Sequence, residues 1–399
     1  MVDNTSLGAA KHAKNDEFYT QYSDIEAEMN AYVEFNPDVF RNKTILLPCD
    51  DPEWSNFTKY FASNFTRFGL KKLISTSYAK SSGSQQLTLF EMGSPLYDEK
   101  LHPAHGKLFT LTRDTNHSGQ IDTDDIVFSG YLDGDGDFRS PEIRKLRDEA
   151  DIIITNPPFS LFREFLAWIV EANKKFIIIG NMNAITYKTV FPLISHNQLW
   201  LGYSIHSGDR KFNVPDSYPL NAAGYGIDSD GKKFIRVKGV RWFTNIDHGK
   251  RHEQLILDTV EHNLKFNKKL RKKFEKDYGK LEYPHYDNYD AIEVPFTDAI
   301  PSDYDGVMGV PITFMDKYNP EQFEIIGMAE NEDLYKLKTR IYTSDEKKNA
   351  YFAKFGRNGQ YDLNASGVVK QRGRFEKVYQ RLLIRQKNGD FSNENNTAH

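Results

Sequence analysis

The sequence predicts an α/β protein built on a doubly wound, mostly parallel sheet, and three observations carry that prediction. Short, nearly unbroken apolar runs recur at residues 43–48, 151–155 and 175–180, beside a further strand at 72–78. They lack the polar alternation of a half-exposed strand, as strands covered on both faces do. Between them lie amphipathic stretches of roughly 10 to 15 residues, the spacing of βαβ units. The 399 residues are 39% hydrophobic and 27% charged, which fits a globular chain with room for more than one core.

Taken in order, residues 19–29 place Ile25 and Met29 on one helical face and form an opening helix. The strand at 43–48 runs into Cys49-Asp50-Asp51-Pro52, and 55–68 resumes a helix-spaced aromatic pattern. After the strand at 72–78, a polar stretch at 79–124 mixes Gly, Ser, Pro and His with two short strand-like runs and reads as an insertion. A strand at 125–131 and a helix at 143–150 lead into the strand at 151–155, which ends in Asn156-Pro157-Pro158-Phe159. An amphipathic helix at 161–173, a strand at 175–180 and further strands at 199–205 and 240–245 complete a first domain, residues 1–250. From 251 to 387 the alternation fades and a second region is expected, followed by a disordered tail at 388–399.

Composition excludes several classes. Mean hydropathy is −0.63, and no apolar run approaches the roughly 18 to 20 residues of a membrane span, so no membrane association is expected. Residues 1–14 are polar and carry no secretory signal, which points to the cytoplasm. A single cysteine, Cys49, rules out a disulfide framework and a Cys-rich zinc site. The net charge of −4 does not decide whether nucleic acid binds, because the location of charge matters more than its sum.

The decisive feature is Asn156-Pro157-Pro158-Phe159. Ligands of open α/β sheets bind at the carboxyl ends of the strands, where this tetrapeptide must lie. Two prolines stiffen the backbone and offer no N–H, so the Pro157 carbonyl and the Asn156 amide oxygen stand as fixed acceptors suited to an exocyclic amine. A bare Pro-Pro turn would mean little; the buried strand before it, the aromatic within it and the helix after it match the signature of amino-methyltransferases.

The surrounding blocks extend that match. Asp16-Glu17-Phe18-Tyr19-Thr20-Gln21-Tyr22, Cys49-Asp50-Asp51-Pro52, Asp135-Gly136-Asp137-Phe138-Arg139-Ser140, Thr155 through Glu164, Trp200-Leu201-Gly202, Tyr286 through Asp290 and Gly306 through Phe314 occur in order over most of the chain. Together they resemble the EcoRI-type adenine-specific DNA methyltransferases. The resemblance implies the S-adenosylmethionine-dependent methyltransferase fold in residues 1–250 and a DNA target-recognition region with a basic extension in 251–387. It implies S-adenosylmethionine as donor and the N6 amine of adenine in double-stranded DNA as acceptor, with a monomeric enzyme. It leaves open whether a restriction endonuclease, acting independently, accompanies it. Phe18, Tyr19 and Thr20 resemble the donor-binding motif that holds the methionine carboxylate, and Asp50 the acidic anchor, although Cys49-Asp50-Asp51-Pro52 replaces the usual Gly-rich turn. The second strand ends without the carboxylate that commonly grips the ribose, so Asp51 or a hydroxyl serves instead. Asp137 and Phe138 resemble the pair that accepts from the donor adenine amine and covers its face. By the same resemblance Asn156, Pro157, Pro158 and Phe159 are the expected catalytic residues, Phe159 stacking on a flipped base with Phe212 or Tyr203 as candidates for its other face.

Residues 265–276 and 368–387 each carry seven Lys or Arg and one Glu, with aromatics interleaved, and are candidate phosphate-binding surfaces. Lys268, Lys269, Arg271, Lys272, Lys273, Arg372 and Arg374 are the expected contacts. No metal is expected. Residues 114–125 imitate an EF-hand loop but end in Asp and have no flanking helices, and His248 and His252 lack a third ligand. Two other classes remain: transfer to another planar amine, such as an RNA base or a glutamine amide, and a non-catalytic DNA-binding protein on the same fold.

Overall fold

A computed structural model describes residues 18–79, 89–92, 94–206, 208–214, 224–371 and 373–387; Arg372 and the expected tail at 388–399 lie outside them. The chain divides into two compact units, Met1–Gly249 and Lys250–His399.

The first unit begins with β1 (Tyr19–Thr20), α1 (Tyr22–Phe35), β2 (Thr44–Leu47), α2 (Asn56–Ser63), α3 (Phe65–Phe68) and β3 (Lys72–Thr76). Next come β4 (Lys107–Leu111), β5 (Val127–Tyr131), α4 (Pro141–Glu149), β6 (Ile152–Thr155), α5 (Phe162–Glu171) and β7 (Lys175–Asn181). The unit closes with α6 (Phe191–Ser195), β8 (Trp200–Leu201), β9 (Asp209–Asn213), β10 (Gly226–Ile227), β11 (Lys233–Lys238) and β12 (Val240–Thr244). The large sheet has the order β5-β4-β3-β2-β6-β7-β12-β8. Its middle, β3-β2-β6-β7, is parallel, while β4, β5, β12 and β8 join antiparallel.

The sheet is therefore mixed, where the sequence predicts a mostly parallel one. Parallel pairing needs a helical crossover, whereas β4 and β5 follow one another as a hairpin. Residues 107–111 belong to the sheet although they fall in the stretch read as an insertion. Their buried and half-buried side chains alternate, as in a strand covered on one face, and the polar surroundings conceal the pattern.

The parallel strands supply the core. Ile45, Leu47, Ile152, Ile154, Ile177 and Ile179 are buried together with Phe57, Phe61 and Trp242. Ser55 caps α2 by accepting from the Phe57 and Thr58 N–H groups, and Ser140 caps α4 ahead of Pro141. The opening helix starts at Tyr22 because Tyr19 and Thr20 pair instead with Asn213 and Phe212 in a second sheet, β1-β9-β11-β10. Buried Glu28 of α1 ties down the turn after β8, accepting from the Tyr203 N–H at 2.8 Å, the Ser204 N–H at 2.7 Å and the Ser204 hydroxyl at 2.6 Å. That close approach explains Gly202, where a Cβ would lie 2.1 Å from Glu28 Oε1.

In the second unit, α7 (Val260–Phe266) and α8 (Lys268–Asp277) precede β13 (Ile292–Glu293), β14 (Met308–Pro311), β15 (Phe323–Met328), α9 (Ser344–Phe355), β16 (Val368–Gln371), β17 (Arg374–Lys377) and β18 (Arg381–Gln386). The sheet runs β13-β14-β18-β15, with β16 and β17 as a separate hairpin. Residues 368–387 are therefore not one basic surface: Leu382, Leu383 and Ile384 are core, and Arg381 is buried with Glu293, 2.7 Å away. A strand that runs through a sheet centre hides its cations only by pairing them.

Candidate active site

A cavity of about 290 Å³ opens at the carboxyl ends of β2 and β6. Its lining includes Phe18, Tyr19, Thr20, Asp50, Asp137, Phe138, Asn156, Pro157 and Pro158, residues that are widely separated in sequence. The parallel pairing of β2 with β6 brings the turn after each strand to the same edge.

Asn156 is the best-defined group. Its Nδ2 donates to the Phe18 carbonyl at 2.8 Å, which fixes the orientation of the amide. Its Oδ1, the acceptor end of the amide, is buried and without a hydrogen-bond partner. Thr20, another residue of the lining, carries a second buried oxygen without a partner, Oγ1. Buried polar atoms are almost always satisfied, so two orphans lining one cavity fit a ligand that donates to the amide and bonds the hydroxyl.

The motif at 18–20 is held from both sides. β9 pairs with β1, and Asn56 Nδ2 donates to the Thr20 carbonyl at 2.7 Å. Asn56 is absent from the residues expected from sequence; its only local signal is its place just after the Ser55 cap.

Asp50 lines the cavity, but its carboxylate is engaged by the scaffold. Ser55 Oγ donates to one oxygen at 2.7 Å and Thr155 Oγ1 to the other at 2.6 Å. It thus braces the turn after β2 against the start of α2 and the end of β6. Cys49 in that turn has φ +64, the left-handed conformation that favours glycine, and its N–H donates to Thr76 Oγ1 at 3.2 Å. The turn keeps a glycine-like shape without a glycine.

Asp51 is not brought to the cavity wall. Its carboxyl is buried, one oxygen accepting from the Glu53 N–H at 3.0 Å and the other unpartnered. Burial pushes its pKa up to about 6, with the Glu53 N–H opposing the rise. Because the folded pKa lies above the unfolded value, the folded state holds the extra proton between pH 4 and 6 and loses stability as pH rises through that window. The Asp51→Asn variant is expected to be more stable than the parent at pH 8, by about 3 kcal/mol at most, with the gap closing below pH 4. Denaturant melts across pH would show this, and a constant difference between the two proteins would exclude it.

Asp137 lines the cavity and is oriented by Arg139, whose guanidinium reaches it at 2.6 Å and also meets Glu164 at 3.2 Å. Phe138 packs against Phe165 and Trp168, with ring centroids 5.0 and 5.7 Å away. Gly136 is required here: φ is +86, and a Cβ would come within 2.3 Å of the Ser77 carbonyl oxygen. Arg139 and Tyr78 join the lining without having been expected from sequence, although Arg139 sits inside the block around Asp137.

Phe159 lies beside the cavity, edge-on to Phe18 at 5.8 Å and to Phe212 at 6.5 Å. Phe212 is buried in this aromatic group, whereas Tyr203 sits against His248 at 6.1 Å in the cluster around Glu28.

Of the expected phosphate contacts, Lys268, Lys269 and Lys272 are exposed on α8, whose Leu270 and Phe274 face the core. Lys269 covers the Phe296 ring at 3.8 Å, and Lys273 pairs with Asp277 at 2.6 Å. Arg271 lies 3.9 Å from Glu275, and Arg374 is exposed at the start of β17.

The EF-hand-like loop joins β4 to β5. Asp125 accepts there from the Thr115 N–H at 2.7 Å and the Asn116 N–H at 3.1 Å, so it closes a turn. Among the described residues no group of three or more His, Cys, Asp or Glu side chains is arranged to hold a metal ion, and no helix is long and apolar enough to cross a membrane.

Comparison with known proteins agrees with this geometry. The family model of adenine-specific methyltransferase EcoRI matches residues 6–387. Type II methyltransferase M.EcoRI of Escherichia coli is 44% identical over 330 residues, 83% of this chain and 91% of that protein. M.MpnI of Mycoplasma pneumoniae is 33% identical over 84% of this chain and 89% of its own length, and M.MgeORF184P of Mycoplasma genitalium 34% identical over 84% and 90%. No solved structure matches the chain significantly. With the Asn-Pro-Pro-Phe turn at the strand ends and a match spanning both units, the chain belongs to the EcoRI-type family of adenine-specific DNA methyltransferases.

Proposed function

We propose that this enzyme transfers a methyl group from S-adenosylmethionine to the N6 amine of an adenine flipped out of duplex DNA, beside an independent restriction endonuclease or as an orphan methyltransferase. The observation that carries the reading is the amide of Asn156, a residue of the cavity lining, pinned by the Phe18 carbonyl with its oxygen buried and unpartnered. When bound, the donor supplies a methyl group already activated on a sulfonium.

The protein's part is to shape the nucleophile and align it. The adenine N6 lone pair is delocalised into the ring, and acceptance of its two hydrogens by Asn156 Oδ1 and the Pro157 carbonyl draws the nitrogen toward tetrahedral geometry. In-line positioning accounts for several kcal/mol of the barrier. Phe159 offers a face to the extruded base, offsetting part of the few kcal/mol that unstacking costs. Thr20 Oγ1 suits the methionine carboxylate. Asp137, oriented by Arg139, suits the donor's adenine amine, with Phe138 beside it. Asp50 serves by bracing the turn, and Asp51 acts through the scaffold rather than on the ribose. The second unit, with the cations of α8 and Arg374, is assigned to DNA recognition.

Digesting methylated duplex DNA to nucleosides and separating them by mass spectrometry tests the reading. N6-methyladenine is expected as the sole new species, and N4-methylcytosine would refute it. Transfer to RNA or to a glutamine amide in preference to duplex DNA would favour the other planar-amine class.

A further inference from the structure

The small sheet of the first unit has two faces of different character. In the β9–β11 register, Phe212 lies opposite Ile235, and both are buried. Strand alternation sends the neighbouring positions to the other face, where Lys211 lies opposite Arg236, Asp209 opposite Lys238 and Asn213 opposite Phe234. Phe234 is flanked on this face by Lys211 Nζ, 4.7 Å from its ring centroid, and by the Arg236 guanidinium at 5.8 Å. Three cations and an aromatic thus stand with two carboxylates, Asp209 and Asp228, a local excess of one positive charge in a chain whose net charge is −4.

The inner face of the same ribbon belongs to the site. Phe212 packs 5.9 Å from Phe18, and β9 pairs with the strand that carries Thr20. From this juxtaposition we infer that the outer face of the β9–β11 ribbon is a DNA-backbone surface, with Lys211, Arg236 and Lys238 contacting phosphates flanking the target base. The inference rests on the reading of duplex DNA as substrate and goes beyond it, because the DNA contacts expected from sequence all lie in the second unit. The ribbon's acidic partners do not oppose this. Lys211 meets Asp228 at 2.9 Å, and Arg236 meets Asp209 at 3.5 Å, with the Arg236 and Asp209 side chains about half and a third exposed. The partly exposed Arg236–Asp209 pair is weak and can be exchanged for phosphate, whose neutralisation releases condensed counterions, while the more buried Lys211–Asp228 pair is the firmer of the two. A cation-flanked aromatic between them suits a polyanion better than an apolar protein partner.

The test uses the full chain, mixed-sequence duplex DNA and the Lys211→Gln/Arg236→Gln/Lys238→Gln variant, read by fluorescence anisotropy over a range of salt. The slope of log K against log salt is expected to flatten by roughly 0.9 for each phosphate no longer neutralised, up to about 2.7 for all three. The KM for sheared genomic DNA should rise while the KM for S-adenosylmethionine stays put. The charge-retaining variant Lys211→Arg/Arg236→Lys/Lys238→Arg should keep the parent slope; an equal flattening there would mark a structural effect and overturn the inference. An unchanged slope and KM in the neutral variant, with DNA methylation intact, overturns the ribbon surface alone. Failure of the parent protein to methylate any duplex DNA overturns the methyltransferase reading along with it.

Discussion

Asn156→Ala is expected to lower the rate of methyl transfer by at least about 10² to 10³, the loss typical when a preorganised hydrogen-bonding group at a reacting centre is removed. The amide has two jobs. Its Nδ2 holds the Phe18 carbonyl at 2.8 Å, and its Oδ1 is a buried acceptor without a partner. The alanine variant loses both, yet the 18–20 segment keeps its pairing with β9 and the Asn56 tether, so affinity for S-adenosylmethionine should stay within a few-fold. Single-turnover transfer and calorimetric donor binding separate the two effects. Near-parental transfer by the alanine variant would remove Asn156 from the mechanism, and a collapse of donor binding would make it a scaffold residue.

Lys107→Met is expected to destabilise the first unit by about 3 to 5 kcal/mol, because it leaves a buried carboxylate without its cation. Lys107 Nζ and Glu91 Oε2 are 2.7 Å apart, and both side chains are fully buried. Glu91 Oε1 also accepts from the Tyr131 hydroxyl at 3.0 Å and faces His102 Nδ1 at 2.9 Å. Replacing both charges, as Glu91→Leu/Lys107→Met, should recover much of the loss, since desolvation of two ions nearly cancels their attraction. The damage should reach the site as well: the Lys107 N–H donates to Ser77 Oγ at 3.1 Å, the Ser77 N–H returns to the Lys107 carbonyl at 3.0 Å, and Tyr78 beyond it lines the cavity. Urea unfolding and the KM for the donor would register both effects. A single variant as stable as its parent would mean that the pair contributes nothing.

Much of the site was legible in the chain because it depends on short stretches. An unbroken apolar run followed by Asn-Pro-Pro-Phe places a rigid acceptor turn at a strand end whatever else the protein does, and helices between strands predict parallel direction, which β2 and β6 share. The 18–20 motif and the turn at Asp137 were located by their resemblance to the family's blocks rather than by local pattern. Where the usual Gly-rich turn would follow β2, Cys49 takes the left-handed conformation itself.

Whatever depended on a distant partner was decided by the tertiary structure. Periodicity cannot tell which strand will lie beside β3, so the antiparallel flanks and the strand at 107–111 stayed hidden among polar residues. A carboxylate's use is set by what packs against it: Asp50 is taken up by the hydroxyls of Ser55 and Thr155, while Asp51, one residue on, is buried away from the cavity. Likewise Arg381 looked like one more surface cation until β18 carried it beside Glu293 in the centre of a sheet. The sequence by itself determined the rigid Asn-Pro-Pro-Phe turn at the end of β6, because rigid turns and apolar runs are local properties. Only the fold decided which charges meet water and which meet each other, because desolvation and ion pairing are settled between residues tens to hundreds of positions apart.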